Sequence, residues 1–127
     1  MNLLIDSHAL LWWLGATSKL SSAAHSAIRS PLNRVYVSAA VAWELAIKAN
    51  VGKLDAREVI SDLPHILFEK GFRRLAISVD HALRAGDLPH HHRDPFDRML
   101  IAQAQALGFP IVSADVTLDH YGVKRIW

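Results

Sequence analysis

Four carboxylates in this sequence stand where their side chains could act together: Asp6, Glu44, Asp97 and Asp115. Asp6 ends the apolar run "NLLI" and Asp115 follows "PIVSA", so both fall just beyond a strand-like segment. Glu44 lies inside "AAVAWELAIKA", where the only other charge is Lys48, and Asp97 lies in "HHHRDPFDRMLIAQA" at the entrance to an apolar helical pattern. Brought to one place, such groups repel: two unit charges 4 Å apart cost about 1 kcal/mol even at the dielectric of water, and more when partly dehydrated. A divalent cation removes the conflict. Oxygen-only donors suit hard ions such as Mg²⁺ or Mn²⁺. Such an ion lowers the pKa of a bound water, orients it for in-line attack and neutralises charge on a phosphodiester. The chemistry implied is phosphodiester hydrolysis.

Each acid also has a structural explanation. Asp is a favoured helix N-cap, so Asp6 can simply open the helix "SHALLWWL". Asp115 fits a turn, where Asp bonds its own backbone. Glu44 and Lys48 have the i,i+4 order that stabilises a helix by roughly 0.2–0.5 kcal/mol, yet an ionised carboxylate among apolar neighbours is costly unless paired or metal-bound. Proline restrains its predecessor to non-helical angles and favours the first helical position, which makes Asp94 the N-cap, Pro95 the first helical residue and Asp97 the third. The cap explains Asp94 fully and Asp97 only in part, because a capping box normally has Glu or Gln there. Asp97 starts the stripe Leu100, Ile101, Ala104 and Leu107, which places it in the first turn, toward the same edge as Asp6. His90, His91 and His92 read as an exposed or substrate-contacting loop rather than a zinc site, since three consecutive residues do not easily face one ion. His8 reads as a packed helix residue.

The elements that must position these groups alternate. "NLLID", "RVYVS", "RRLAIS", "PIVSAD" and "VKRIW" are short strand-like runs. Between them, helical patterns cover residues 7–14, about 21–29, the Ser38-capped segment that closes at Gly52, 55–70 with an interruption near Pro64, 79–85, and Asp94 to Gly108. Alternation of this kind predicts an α/β fold with a mostly parallel sheet, whose ligands bind beyond the carboxyl ends of the strands.

A chain of 127 residues is expected to form one domain, residues 1–127, with roughly two-thirds of its unfolded surface buried. Lacking cysteine, it has neither disulfides nor thiolate metal sites, which favours a cytoplasmic location. The first apolar run is broken by Asp6 and His8 and has no basic leader, and no stretch approaches the ~20 apolar residues of a membrane span. Fourteen Lys and Arg against twelve Asp and Glu give a net charge of +2, which permits a polyanionic partner without requiring one. Local basic groupings, such as Arg93 with Arg98 or Lys70 with Arg73 and Arg74, read individually as solvated faces.

The segments "LLIDSHALLWWL", "VAWELAIKANVGKL", "LPHHHRDPFDRMLIAQA" and "IVSAD", in that order, resemble the PIN-domain family, specifically the VapC-like toxins of type II toxin–antitoxin systems. The resemblance runs from about residue 2 to the end. It implies an α/β/α sandwich with a central, mostly parallel sheet of four or five strands, and a Mg²⁺- or Mn²⁺-dependent endoribonuclease. The family's acids fall on Asp6, Glu44, Asp97 and Asp115 as catalytic and metal-binding residues, with Ser7, Asp94 and Ser113 as possible support. It further implies an RNA substrate, a homodimer and a cognate antitoxin that blocks the acidic pocket; the "ALLWWL" segment, with Trp12 and Trp13, is a candidate surface for either protein partner. A non-catalytic PIN-like module that binds RNA or a partner is the alternative. A haloacid-dehalogenase-like phosphatase also has an aspartate after its first strand, but it needs a second one two residues later, where this sequence has His8.

Overall fold

The computed structural model describes residues 1–52 and 57–127. Five strands, β1 (Asn2–Ile5), β2 (Arg34–Ser38), β3 (Arg73–Leu75), β4 (Ile111–Val112) and β5 (Arg125–Ile126), form one sheet in the order β3-β2-β1-β4-β5, and every pairing is parallel. The α/β class and the expected strand number hold, and β1 is the central strand. After Asn2, β1 is apolar and sealed, with Leu3, Leu4 and Ile5 inaccessible to solvent, as a parallel strand covered on both faces should be.

The chain first builds outward from β1 through β2 to β3, then returns to place β4 on the other side of β1. The order therefore reverses between β1 and β4, which opens a crevice at their carboxyl ends. Register makes the crevice chemically specific. Ile5 lies opposite Val112 and the Asp6 amide donates to the Val112 carbonyl (3.2 Å), so the next residues on the two strands, Asp6 and Ser113, emerge side by side.

Seven helices flank the sheet among the described residues: α1 (Ser7–Gly15), α2 (Ser22–Arg29), α3 (Ala39–Asn50), α4 (Arg57–Ser61), α5 (Leu63–Glu69), α6 (Val79–Asp87) and α7 (Pro95–Leu107). Their starts follow the capping rules. Ser21 accepts from the Ala24 amide at 3.0 Å and Ser38 from the Ala40 amide at 3.1 Å. The segment expected at 55–70 divides into α4 and α5, with Pro64 in the first turn of the second, where its missing N–H costs nothing; residues 55 and 56 lie outside the described residues. Two short 3-10 helices, Thr17–Lys19 and Val116–Tyr121, were not legible in the hydrophobic pattern. α7 ends at Gly108, whose φ of 71° is the left-handed cap that glycine adopts without strain.

The end of α6 and the loop after it are gathered by one side chain. Arg98, in the first turns of α7, donates to the carbonyls of Ala85 (2.9 Å), Leu88 (2.8 Å), Pro89 (3.0 Å) and, at 3.4 Å, His92. A guanidinium is suited to this because its donors form a planar fork, and a cation at a helix C-terminus also complements the helix dipole. The solvated-face reading of Arg98 is thus corrected: backbone carbonyls claim it, and it fixes the loop that carries His92 and Asp94. Arg98→Ala should lower the unfolding free energy by about 2–3 kcal/mol, since hydrogen bonds that involve a charged group contribute about 1.5–3 kcal/mol each and some of these carbonyls regain water. Arg98→Lys should recover only part of the loss. Urea unfolding checks both, as a lower midpoint at unchanged slope.

Candidate active site

Asp6, Glu44, Asp97 and Asp115 line a single pocket of about 290 Å³, together with Ser7, His8, Trp12, Lys48, Asp94 and Ala114. Residues from the ends of two strands and from two helices thus meet at the edge where the strand order reverses. A larger depression of about 700 Å³ between α6 and α7 is lined by Asp80, Arg84, Asp87 and Gln105, a mixed-charge surface without a buried acid.

The capping and site explanations of Asp6 both hold. Its Oδ1 accepts from the Ala9 amide at 2.8 Å, which starts α1, while the residue is only 6% exposed and the Ser113 hydroxyl also bonds its carboxylate. Ser113 in turn accepts from the Asp115 amide at 3.0 Å, so one buried hydroxyl ties two of the acids together. Ser7 lines the pocket beside Asp6. Asp115 caps the second 3-10 helix through Oδ1, which accepts from Thr117 at 2.9 Å.

Glu44 lies on the buried stripe of α3 with Ala40, Val41 and Leu45, and is 3% exposed. Lys48 donates to its Oε2 at 2.6 Å, so the i,i+4 pair forms and also lines the pocket. Asp94 is the N-cap of α7, accepting from Phe96 (2.8 Å) and Asp97 (3.4 Å). A capping box would turn the Asp97 side chain back onto the Asp94 amide. Here the Nδ1 of His92 takes that amide at 3.1 Å, and Asp97 is left free to face the pocket.

The histidines differ from expectation. His90 and His91 are exposed, but His92 is turned inward, with Nε2 at 2.9 Å from Asp115 Oδ2 and 3.1 Å from Asp97 Oδ2. Its signal in the sequence was its place two residues before an Asp cap, within reach of that cap's amide. His8 is not packed inside. It is exposed at the pocket rim, its ring 5.8 Å from that of Trp12, which in turn lies 5.7 Å from Trp127. Trp13 packs against the core instead.

Burial and mutual repulsion shape the electrostatics. Burial first, and then the charges of Asp94, Glu44 and Asp6, push the Asp97 carboxyl up to about 7 against the opposing pull of His92. Burial likewise raises Asp6, against the hydrogen bonds from Ser113 and Ala9. At Asp115 burial also pushes upward, but the bonds from His92 and Thr117 outweigh it and hold the group below its ordinary value. Lys48 is raised chiefly by its bond to Glu44.

The sign of the Asp97 shift gives a stability test. Between the unfolded value of 3.8 and the folded value of about 7, the folded chain keeps a proton that the unfolded chain has released, so stability falls as pH rises through that window. In chelator, Asp97→Asn should therefore gain stability relative to wild type as pH is raised from 5 to 8. Urea midpoints of the two proteins across that range provide the check; a constant difference would show that Asp97 carries no such burden.

The PIN domain family matches residues 3–124 of the chain. No curated protein matches it. Among solved structures, VapBC2 from Rickettsia felis bound to a promoter DNA fragment is similar, with a TM-score of 0.68 at 14% identity over 98% of this chain and 97% of that one. VapBC-1 from nontypeable Haemophilus influenzae gives 0.63 at 14% identity (98% and 96% covered), and FitAcB from Neisseria gonorrhoeae 0.58 at 17% (98% and 96%). At these identities the neighbours attest the fold alone. With the family matched across nearly its whole length, the chain belongs to the PIN domain family.

Proposed function

We propose that this chain is a Mg²⁺- or Mn²⁺-dependent endoribonuclease, the toxin of a type II toxin–antitoxin pair that acts in the cytoplasm. The observation that carries this reading is the convergence of Asp6, Glu44, Asp97 and Asp115 in one pocket, two of them with carboxyls held above their ordinary values by burial. A folded protein keeps such groups together at a cost, which a bound cation offsets. The donor set fits a hard divalent ion: it is dominated by carboxylate oxygens, with sulfur absent, His8 exposed at the rim and the His92 ring already engaged with the Asp94 amide and Asp115.

Asp6 and Asp97 would hold the ion, and Glu44 and Asp115 would complete the site. When bound, the ion supplies a more acidic water and neutralises charge on the phosphodiester. The protein's own groups do the rest. Lys48 binds Oε2 of Glu44, which leaves the other oxygen to hold or deprotonate the attacking water. Ser113 fixes the Asp6 carboxylate, and Asp94 sets the first turn of α7 and thereby the direction of Asp97.

RNA as substrate, the antitoxin and the homodimer rest on the resemblance to VapC-like toxins, and the VapBC and FitAcB neighbours support it. An apolar groove of about 260 Å³ between α3, α6 and α7, with Trp43 62% exposed and edge-on to Phe96, is a surface suited to such a protein partner. Among the described residues no helix is long and apolar enough to cross a membrane.

Purified wild type should cut single-stranded RNA in Mg²⁺ or Mn²⁺ and stop when the ion is chelated. Asp97→Asn should lose at least about a hundredfold in cleavage rate while keeping the wild-type circular dichroism. Cleavage that survives both chelation and Asp97→Asn, in a preparation free of contaminating nuclease, would exclude this mechanism; a folded wild type that binds RNA without cutting it would favour the non-catalytic module.

A further inference from the structure

His92 meets the pocket in a way that the proposed reaction does not use. Its Nε2 lies between Asp97 and Asp115, and its Nδ1 faces the Asp94 amide at 3.1 Å. An amide N–H can only donate, so Nδ1 must accept and the ring proton resides on Nε2. That N–H bonds Asp115 Oδ2 at 2.9 Å, and the same nitrogen lies 3.1 Å from Asp97 Oδ2, from a half-buried position. The ring therefore does for Asp97 and Asp115 part of what a cation would do.

Distances alone would permit a different view, since ligand atoms of His92, Asp97 and Asp115 all lie within 4.8 Å of one another, close enough to share an ion. The tautomer argues against it. A metal-bound imidazole offers a lone pair from one nitrogen and almost always donates a hydrogen bond from the other. Here the other nitrogen is opposite a donor, so coordination through Nε2 would require an imidazolate or the loss of the Asp94 bond.

We infer that His92 is an internal competitor for the cation: its Nε2–H bonds Asp115 and stands against Asp97, and an ion binds by displacing that contact rather than by gaining a ligand. The inference rests on reading the pocket as a cation site. The backbone around the ring is anchored independently, because the His92 amide donates to Tyr121 Oη (2.7 Å), Tyr121 donates to the Pro89 carbonyl (2.7 Å), and Arg98 binds the His92 carbonyl. These anchors let the ring give up its contact with the acids, and with it the Asp94 amide, without moving the loop.

Two amides separate the two ends of the ring. In His92→Asn the short side chain can still accept the Asp94 amide but does not reach the acids; in His92→Gln the amide nitrogen falls near the position of Nε2. Calorimetric titration with Mn²⁺ should show His92→Asn binding about tenfold or more tightly than wild type, in keeping with the strength of a hydrogen bond to a charged acceptor. His92→Gln should stay close to wild type. Weaker binding by His92→Asn would make His92 a ligand and overturn the inference. Equal affinities in all three proteins would also overturn it while leaving the nuclease reading intact, and no Mn²⁺ binding in any of them would remove both. Should His92→Asn fail to fold, nitrogen NMR of wild type titrated with Mg²⁺ still decides: the Nε2–H form is expected without ion and its signal should move on binding. A ring in the Nδ1–H form, or one indifferent to bound Mg²⁺, would refute displacement.

Discussion

Mutual repulsion of acids in a partly dehydrated crevice is the constraint around which this molecule is organised. Carboxylates left to themselves would move apart or turn to water. Here backbone amides restrain three of the pocket's acids: Asp6 receives the Ala9 amide, Asp94 those of Phe96 and Asp97, and Asp115 that of Thr117. At Asp6 and Asp115 the capping bond engages one oxygen, Oδ1. The distinction between a helix cap and a site residue consequently dissolves, because the cap is the device that aims the charge. Glu44 and Asp97 cap nothing. They are carried in on the apolar stripes of α3 and α7, and Asp97, whose carboxyl is pushed up to about 7, bears the clearest cost of being there.

A second layer holds the first. Arg98 collects carbonyls from α6 and the loop behind it, and Tyr121 bonds both the Pro89 carbonyl and the His92 amide. Tyr121 ends the 3-10 helix that Asp115 begins. The loop before α7 and the segment after β4 are therefore clamped to each other. Both carry acids, so their spacing is set by neutral hydrogen bonds and one guanidinium rather than by the charges themselves.

Much of this was legible in the amino-acid order. Strand-like runs alternating with helical patterns, four of the five runs ending in Asp or Ser, and the Asp-Pro-Phe-Asp sequence ahead of a helical stripe, predicted the parallel sheet, the α7 N-cap and the gathering of four acids at one edge. What escaped were features that depend on partners distant in sequence or on irregular backbone. His92 looked like one of three equivalent histidines until the loop geometry placed its ring between two acids that lie 5 and 23 residues further on in the chain. Arg98 looked like surface charge because nothing local shows that four carbonyls would converge on it. The short 3-10 helices have too few residues for a hydrophobic period to register.

The pairing of Ile5 with Val112 also bears on how such a sequence can change over time. Removing or adding one residue between Leu3 and Ser7 would send Asp6 to the opposite face of the sheet, because side chains alternate along a strand. The turn at 30–33, remote from the carboxyl edge, is under no such restriction. Length variation among descendants of this chain should therefore accumulate at the amino-terminal rim of the sheet, while the rim that carries the acids drifts by substitution alone.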